Sequence, residues 1–401
     1  MKKHQIATLV IFLVGVNFLN AQIQNVKMYT FGHSLIDHRP PLIATPSDET
    51  TILHWINDIA QEAGRDFSTG GQYGFLTSHD DTLPPDSQWG YDNIPSVWDA
   101  STEPFADADI NTILITAANF IQYEASTSPH PLDNSTTVVQ ATETIFDWVN
   151  GQESNVRYYI YANWPEMDLQ NAYPPTVPTQ TEITDFHNLT IGEFTDWWIT
   201  YQDNMLLSRP QLNTRLIPVG AIISKIIKNI IPNQVPFSEL YEDSAPHGRA
   251  TLYFIAGMIT YMAIYGENIP NTYMPNNIVH QAIRDNLGTI RNFIWAELNN
   301  FNLPNGDSRV FYNSNLRVDD VQQSNNIRLF PNPNNGTFNI SGNFTDAYTV
   351  NIIDVFGRVY QSIQSDLPSL NIDLKNMSNG LYFIHIYNDK VSYTKQILKT
   401  E

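Results

Sequence analysis

The sequence predicts an α/β fold followed by a small all-β unit, and three observations carry that expectation. Between Val26 and Leu298, short β-branched or aromatic runs alternate with segments of helical period. Such alternation builds a parallel sheet covered by helices on both faces. From Ile327 onward the pattern changes to short alternating runs separated by Asn-Gly and Phe-Gly turns, which predicts an antiparallel sandwich over 327–401. The polar, aperiodic stretch 313–326 between them reads as a linker.

At the N-terminus, Lys2-Lys3 precede an apolar run, Ile6–Leu19, and Asn20-Ala21 follow. A basic start, an apolar core too short to span comfortably and a small residue at the cut predict a signal peptide over 1–21, leaving no permanent membrane anchor. Val26–Phe31 is the first strand, and it breaks at Gly32, two places before Ser34. A strand that stops at glycine and hands a hydroxyl to the next loop sets that hydroxyl at the carboxyl end of a sheet. Asp48–Gly64 follows as a crossover helix with Ile52, Trp55, Ile56 and Ile59 on one face. Asp66–Gly74 is a short strand ending in a glycine cluster, and 77–108 is a long excursion rich in Pro, Asp, Ser and Trp. Its Trp89, Tyr91 and Trp98 either line a cleft or pack the excursion onto the core.

Asp109–Thr116 is a buried strand, and Asn119 just beyond it suits either the crevice beside Ser34 or a helix N-cap. Val138–Val149 is helical, Arg157–Asn163 a strand, Phe194–Leu207 a helix, Arg215–Val219 a strand and Ala221–Ile231 a helix. The uncharged run Ala250–Gly266 is shorter than the roughly 20 residues a membrane span needs, so it reads as a buried helix. One more amphipathic helix runs from His280 to about Leu298.

Composition excludes several functions. The 401 residues carry a formal net charge of −20 and no cysteine. That acidity argues against nucleic acid and anionic membranes as partners. Without cysteine there are no disulfides, thiolate chemistry or cysteine zinc sites. The histidines are scattered, and the nearest pair, His33 and His38, lacks a recognisable third ligand, so neither metal nor cofactor is expected.

The second anchor is Leu240-Tyr-Glu-Asp-Ser-Ala-Pro-His-Gly-Arg249, directly before the uncharged helix. A Pro-His pair in a loop before a helix holds an imidazole at a defined height, and a nearby carboxylate can orient its Nδ1–H. Asp243 and Glu242 both qualify. His33 is excluded as the base of Ser34 because neighbours on an extended segment point apart. Trp164, Trp89, Tyr123 and Asn163, near predicted strand ends, suit stacking on a sugar.

Gly32-His-Ser-Leu35, Gly70-Gly71, Thr116-Ala-Ala-Asn119 and Asp243-Ser-Ala-Pro-His247 together resemble, in order, the blocks of the SGNH (GDSL-type) hydrolases over roughly residues 24–270. The resemblance implies a flavodoxin-like three-layer fold with a parallel sheet. It implies Ser34 as nucleophile, His247 as general base and Asp243 as its orienting acid. Gly71, chosen from a cluster that also offers Gly70 and Gly74, would form the oxyanion hole with Asn119 and the Ser34 amide, with Trp164, Tyr123 and Trp89 contacting substrate. The sequence departs from the pattern in carrying His33 where the family has aspartate, in a four-residue Asp243–His247 spacing and in lacking the glycine of the Asn119 block.

The C-terminal stretch closely resembles the sorting domain of the type IX secretion system of Bacteroidetes. Phe330-Pro-Asn-Pro333, Asp354-Val-Phe-Gly-Arg358, Gly380-Leu-Tyr-Phe383 and the basic tail carry that resemblance. It implies the type IX machinery as a partner and a secreted or cell-surface location. The expected function is that of a secreted serine esterase acting on an acylated, for example acetylated, glycan. The competing readings are a non-catalytic surface or glycan-binding protein on the same scaffold, and a lipid esterase.

Overall fold

The computed structural model describes residues 23–41, 49–119, 124–130, 133–167, 176–312, 328–342, 347–354, 358–388 and 392–400. The expected signal peptide and linker lie outside these, as does Tyr123. The chain divides into two compact units, Met1–Tyr312 and Asn313–Glu401.

The first unit is built on five strands: β1 (Asn25–Gly32), β2 (Asp66–Tyr73), β3 (Thr112–Ile115), β4 (Arg157–Tyr161) and β5 (Arg215–Ile217). They lie in the order β2-β1-β3-β4-β5, and every neighbouring pair is parallel. In this doubly wound order the winding reverses between β1 and β3, which opens a crevice at their carboxyl ends. The main helices are α1 (Ile52–Glu62), α2 (Val138–Gln152), α3 (Gln180–Ile191), α4 (Glu193–Ser208), α5 (Val219–Asn229), α6 (Ala250–Tyr265) and α7 (Leu287–Asn300).

Alternation along the strands sends side chains to two separate cores. Val26, Met28, Leu114, Tyr159 and Ile217 pack with α1, α5, α6 and α7, while Phe31, Ile113, Ile160 and Leu216 pack with α2 and α4. The result is three layers. All sixteen residues of α6 are buried, as expected of an uncharged helix at the centre of a layer. Gly257 lets it approach α1, because a Cβ there would stand 2.6 Å from the Trp55 Cβ. Among the described residues no helix is long and apolar enough to cross a membrane.

Some boundaries differ from the sequence expectation. The first helix begins at Ile52 rather than Asp48, because the Thr51 side chain accepts the Leu53 N–H and caps it there. The excursion after β2 returns along that strand's open edge. Thr69 N–H donates to Pro95 O, Val97 N–H to Thr69 O, and the Gln88 and Trp89 amides both to Gly71 O. A bare parallel edge is thereby covered.

The second unit is a two-sheet antiparallel structure of β6 (Arg328–Phe330), β7 (Thr337–Ser341), β8 (Tyr348–Asp354), β9 (Val359–Ser365), β10 (Ser369–Asp373), β11 (Gly380–Tyr387) and β12 (Ser392–Lys399). The sheets run β9-β8-β11-β12 and β10-β7-β6. Inward residues such as Phe338, Ile340, Val350, Ile352, Ile384 and Ile397 form its core.

Candidate active site

The site lies at the carboxyl ends of β1, β3 and β4. After Gly32 the chain turns at once: the Ile36 and Asp37 amides donate to His33 O at 2.9 and 3.2 Å. Ser34 is left half-buried on the first corner of that turn. Its carbonyl accepts the Tyr253 hydroxyl, sent up from α6, so strand, turn and central helix jointly set its height.

The loop before α6 is closed on itself and then pinned from outside. Glu242 N–H donates to His247 O, and Arg249 N–H to Leu240 O, both at 2.8 Å. Asp243 Oδ1 accepts the Ala245 and His247 amides at 3.0 and 2.9 Å. This Asx-type turn absorbs the four-residue spacing between acid and histidine. Three successive carbonyls of the loop are taken by groups from other strand ends. Met167 N–H holds Ser244 O at 2.8 Å, the Asn119 amide holds Ala245 O at 2.7 Å, and the Trp164 indole holds Pro246 O at 2.9 Å.

Held this way, His247 stands between acid and hydroxyl. Its Nδ1 lies 2.6 Å from Asp243 Oδ2, and its Nε2 lies 2.7 Å from Ser34 Oγ. An ionised carboxylate only accepts, so Nδ1 carries the hydrogen and Nε2 is free to receive the Ser34 O–H. Burial pushes the Asp243 carboxyl up, but hydrogen bonds from the His247 ring and amide outweigh it. The acid is held below the usual carboxylate range. Of the two acids compatible with the sequence, Asp243 makes this bond, while Glu242 approaches His38 at 3.5 Å.

The remaining expected residues divide. Asn119 reaches the site; one amide hydrogen braces the His247 loop, and no partner for the other occurs among the described residues. The same is true of the Ser34 backbone N–H. Gly71 does not reach it. It sits inside β2 with its carbonyl facing the excursion, and a residue's N–H lies on the same side of a strand as its C=O. It is glycine because Trp89 lies on it: a Cβ would stand 2.6 Å from that ring and 2.5 Å from Thr30 O.

The expected substrate aromatics are corrected likewise. Trp164 is 1% exposed and Trp89 8%, so neither offers a face to a sugar. Trp164 instead holds the His247 loop, and Trp89 packs the excursion onto the sheet. Asn163 is also buried, donating to Ala117 O and Thr116 Oγ at 2.8 and 3.0 Å and so tying β3 to β4.

His33, in the position of the family's aspartate, is buried. Its Nε2–H donates to Ala117 O at 3.1 Å, and its Nδ1 accepts the Leu35 amide at 3.4 Å. Burial, more than the opposing bond to Ala117, pushes its pKa down to about 4, so it is neutral. It shapes the turn that carries Ser34 and takes no part in the relay. Among the described residues no group of three ligating side chains is positioned for a metal. Sequence reasoning missed Tyr253 and the location of His38, which lies against His247. Neither carries a local signal, since both are defined by a chain segment some 200 residues away.

Residues 328–400 match the secretion system C-terminal sorting domain. The C-terminal unit therefore marks the chain for export, to be released or attached at the cell surface, and implies interaction with the type IX secretion machinery. No curated protein matches the chain in sequence. Among solved structures, PorZ, an essential surface component of the type IX secretion system of Porphyromonas gingivalis, is 17% identical over 20% of this chain and 12% of its own, with a TM-score of 0.19. The complex of Porphyromonas gingivalis RgpB pro- and mature domains is 9% identical over 96% of this chain and 71% of its own, with a TM-score of 0.22.

Proposed function

We propose that this exported chain is a serine ester hydrolase of the SGNH type that removes small acyl groups from a glycan. One observation carries the reading. An acid, an imidazole and a hydroxyl from two distant loops stand in relay at 2.6 and 2.7 Å, at the crevice of a doubly wound sheet.

The chemistry follows from the hydrogen positions. Ser34 Oγ attacks the ester carbonyl carbon while His247 Nε2 takes its proton. The oxygen that becomes negative is met by the Ser34 amide and the second Asn119 amide hydrogen, each such donor worth about 3 kcal/mol. His247 then passes the proton to the departing alkoxide. Water, activated by the same nitrogen, repeats the sequence on the acyl-serine and frees the acid. Asp243 keeps Nδ1–H in place throughout and stabilises the transient imidazolium.

Export to the surface and a net charge of −20 support a neutral acylated glycan over an anionic lipid surface. Incubation with a serine-reactive phosphonate, followed by peptide mass spectrometry, tests the mechanism. The expected adduct is on Ser34 and is absent in His247→Ala. A folded chain that takes no adduct would overturn the hydrolase reading in favour of a non-catalytic surface protein. Acetate release from acetylated polysaccharide then tests the substrate class.

A further inference from the structure

His38 belongs to no cluster of metal-ligating side chains among the described residues. In the fold its ring lies face to face with that of His247, centroids 3.9 Å apart and planes 4° from parallel. This arrangement is built. His38 N–H donates to Thr50 O at 3.1 Å and Thr50 Oγ donates to His38 O at 2.7 Å, clamping the backbone between the turn after β1 and the start of α1. Behind the ring, Nε2 faces Glu242 Oε1 at 3.5 Å, and Glu242 is itself buried. The Glu242 amide bonds the His247 carbonyl, so the second acid is fixed to the same loop as the first.

The relay by itself leaves one freedom open. Both hydrogen bonds of His247 run outward from its ring nitrogens, so they fix the direction of the nitrogens in the plane. They resist less strongly a roll of the ring about the line joining the two partners. A flat group seated on one face removes that roll, and offset-stacked aromatic pairs are favourable beyond the area they bury.

Resting on the serine hydrolase reading, we propose that His38 is a positioning residue. Its stacked ring fixes the plane of the His247 imidazole for proton transfer from Ser34. Burial and His247 lower the pKa of His38 more than Glu242 and Asp243 raise it, which suits a neutral ring at physiological pH. Those three side chains are the titratable groups that face it.

The rate of Ser34 phosphonylation in the full chain at neutral pH is the test, read for wild type, His38→Ala and His38→Phe, with thermal melting as the check of folding. His38→Ala is expected to react about tenfold more slowly, the upper range of one aromatic stack. His38→Phe, which restores a flat ring without the nitrogen, recovers most of that loss. Equal rates in wild type and His38→Ala overturn the proposal. So does a folded His38→Phe as slow as His38→Ala or, where the alanine protein does not fold, a folded His38→Phe about tenfold slower than wild type. Absence of any labelling in wild type is a different failure, that of the hydrolase reading itself.

Discussion

Replacing Asp243 by asparagine isolates the tautomer from the architecture. In the native loop Oδ1 holds two backbone amides and Oδ2 holds His247 Nδ1–H. Asparagine keeps an oxygen for the two amides and presents N–H groups where Oδ2 stood. Nδ1 must then accept, the ring hydrogen moves to Nε2, and Ser34 loses its proton acceptor. The loss expected for the wrong tautomer is about four orders of magnitude in rate, or about 5.5 kcal/mol of barrier. Folding should change by about 1–2 kcal/mol, since the geometry of the three bonds is kept while the charge that strengthens them is lost. Alanine at 243 removes all three bonds and should cost about 3 kcal/mol, roughly 6–12 °C in melting temperature for a unit of this kind. Phosphonate labelling kinetics and thermal melts on both variants read the two effects separately. If Asp243→Asn labels within tenfold of wild type, Asp243 does not set the base, and the reasoning from the 2.6 Å contact fails.

Three further perturbations follow from the same geometry. Trp164→Phe loses the indole donor to Pro246 O, leaving a buried carbonyl unpaired at about 1–2 kcal/mol; kcat should fall about tenfold with KM unchanged, whereas a change in KM alone would return Trp164 to the substrate. Gly71→Ala forces a methyl against Thr30 O and Trp89 and should destabilise by about 1–3 kcal/mol while the folded fraction labels normally; a stable variant with slowed labelling would put Gly71 back in the oxyanion site. His33, His79 and His187 are all buried with pKa values pushed down to about 4, chiefly by burial. Because the unfolded chain binds these protons first, stability is full above about pH 6.5 and is lost as pH falls toward 4, by at most about 3 kcal/mol per histidine. Urea midpoints across that range should slope accordingly, with a shallower slope in His79→Gln, and a flat profile would contradict the neutral, buried assignments.

Sequence alone determined the α/β class, the alternation that makes the sheet parallel, the buried character of α6 and the sorting domain at the C-terminus. These follow from periodicity and composition, which act locally: a run of β-branched residues or an uncharged 3.6-period segment has few alternatives. The order of Ser34, Asn119 and His247 along the chain was legible for the same reason, since each follows a recognisable strand or precedes a recognisable helix. Local pattern did not determine what each polar or aromatic group faces. Trp89 read equally well as a cleft wall or as packing and Trp164 as a stacking face for a sugar, and only the closure of the excursion over β2 and of the 240–249 loop over β4 made both of them packing. Gly71 was placed by its neighbours in a glycine cluster, yet the register of β2 against β1 turns its backbone away from the site. The choice between Asp243 and Glu242 rested on a turn whose amides reach one carboxylate, and the stacking of His38 on His247 on the approach of two loops some 200 residues apart. Such contacts are set by which elements the doubly wound sheet brings to one crevice, and a chain read in one dimension does not contain that distance.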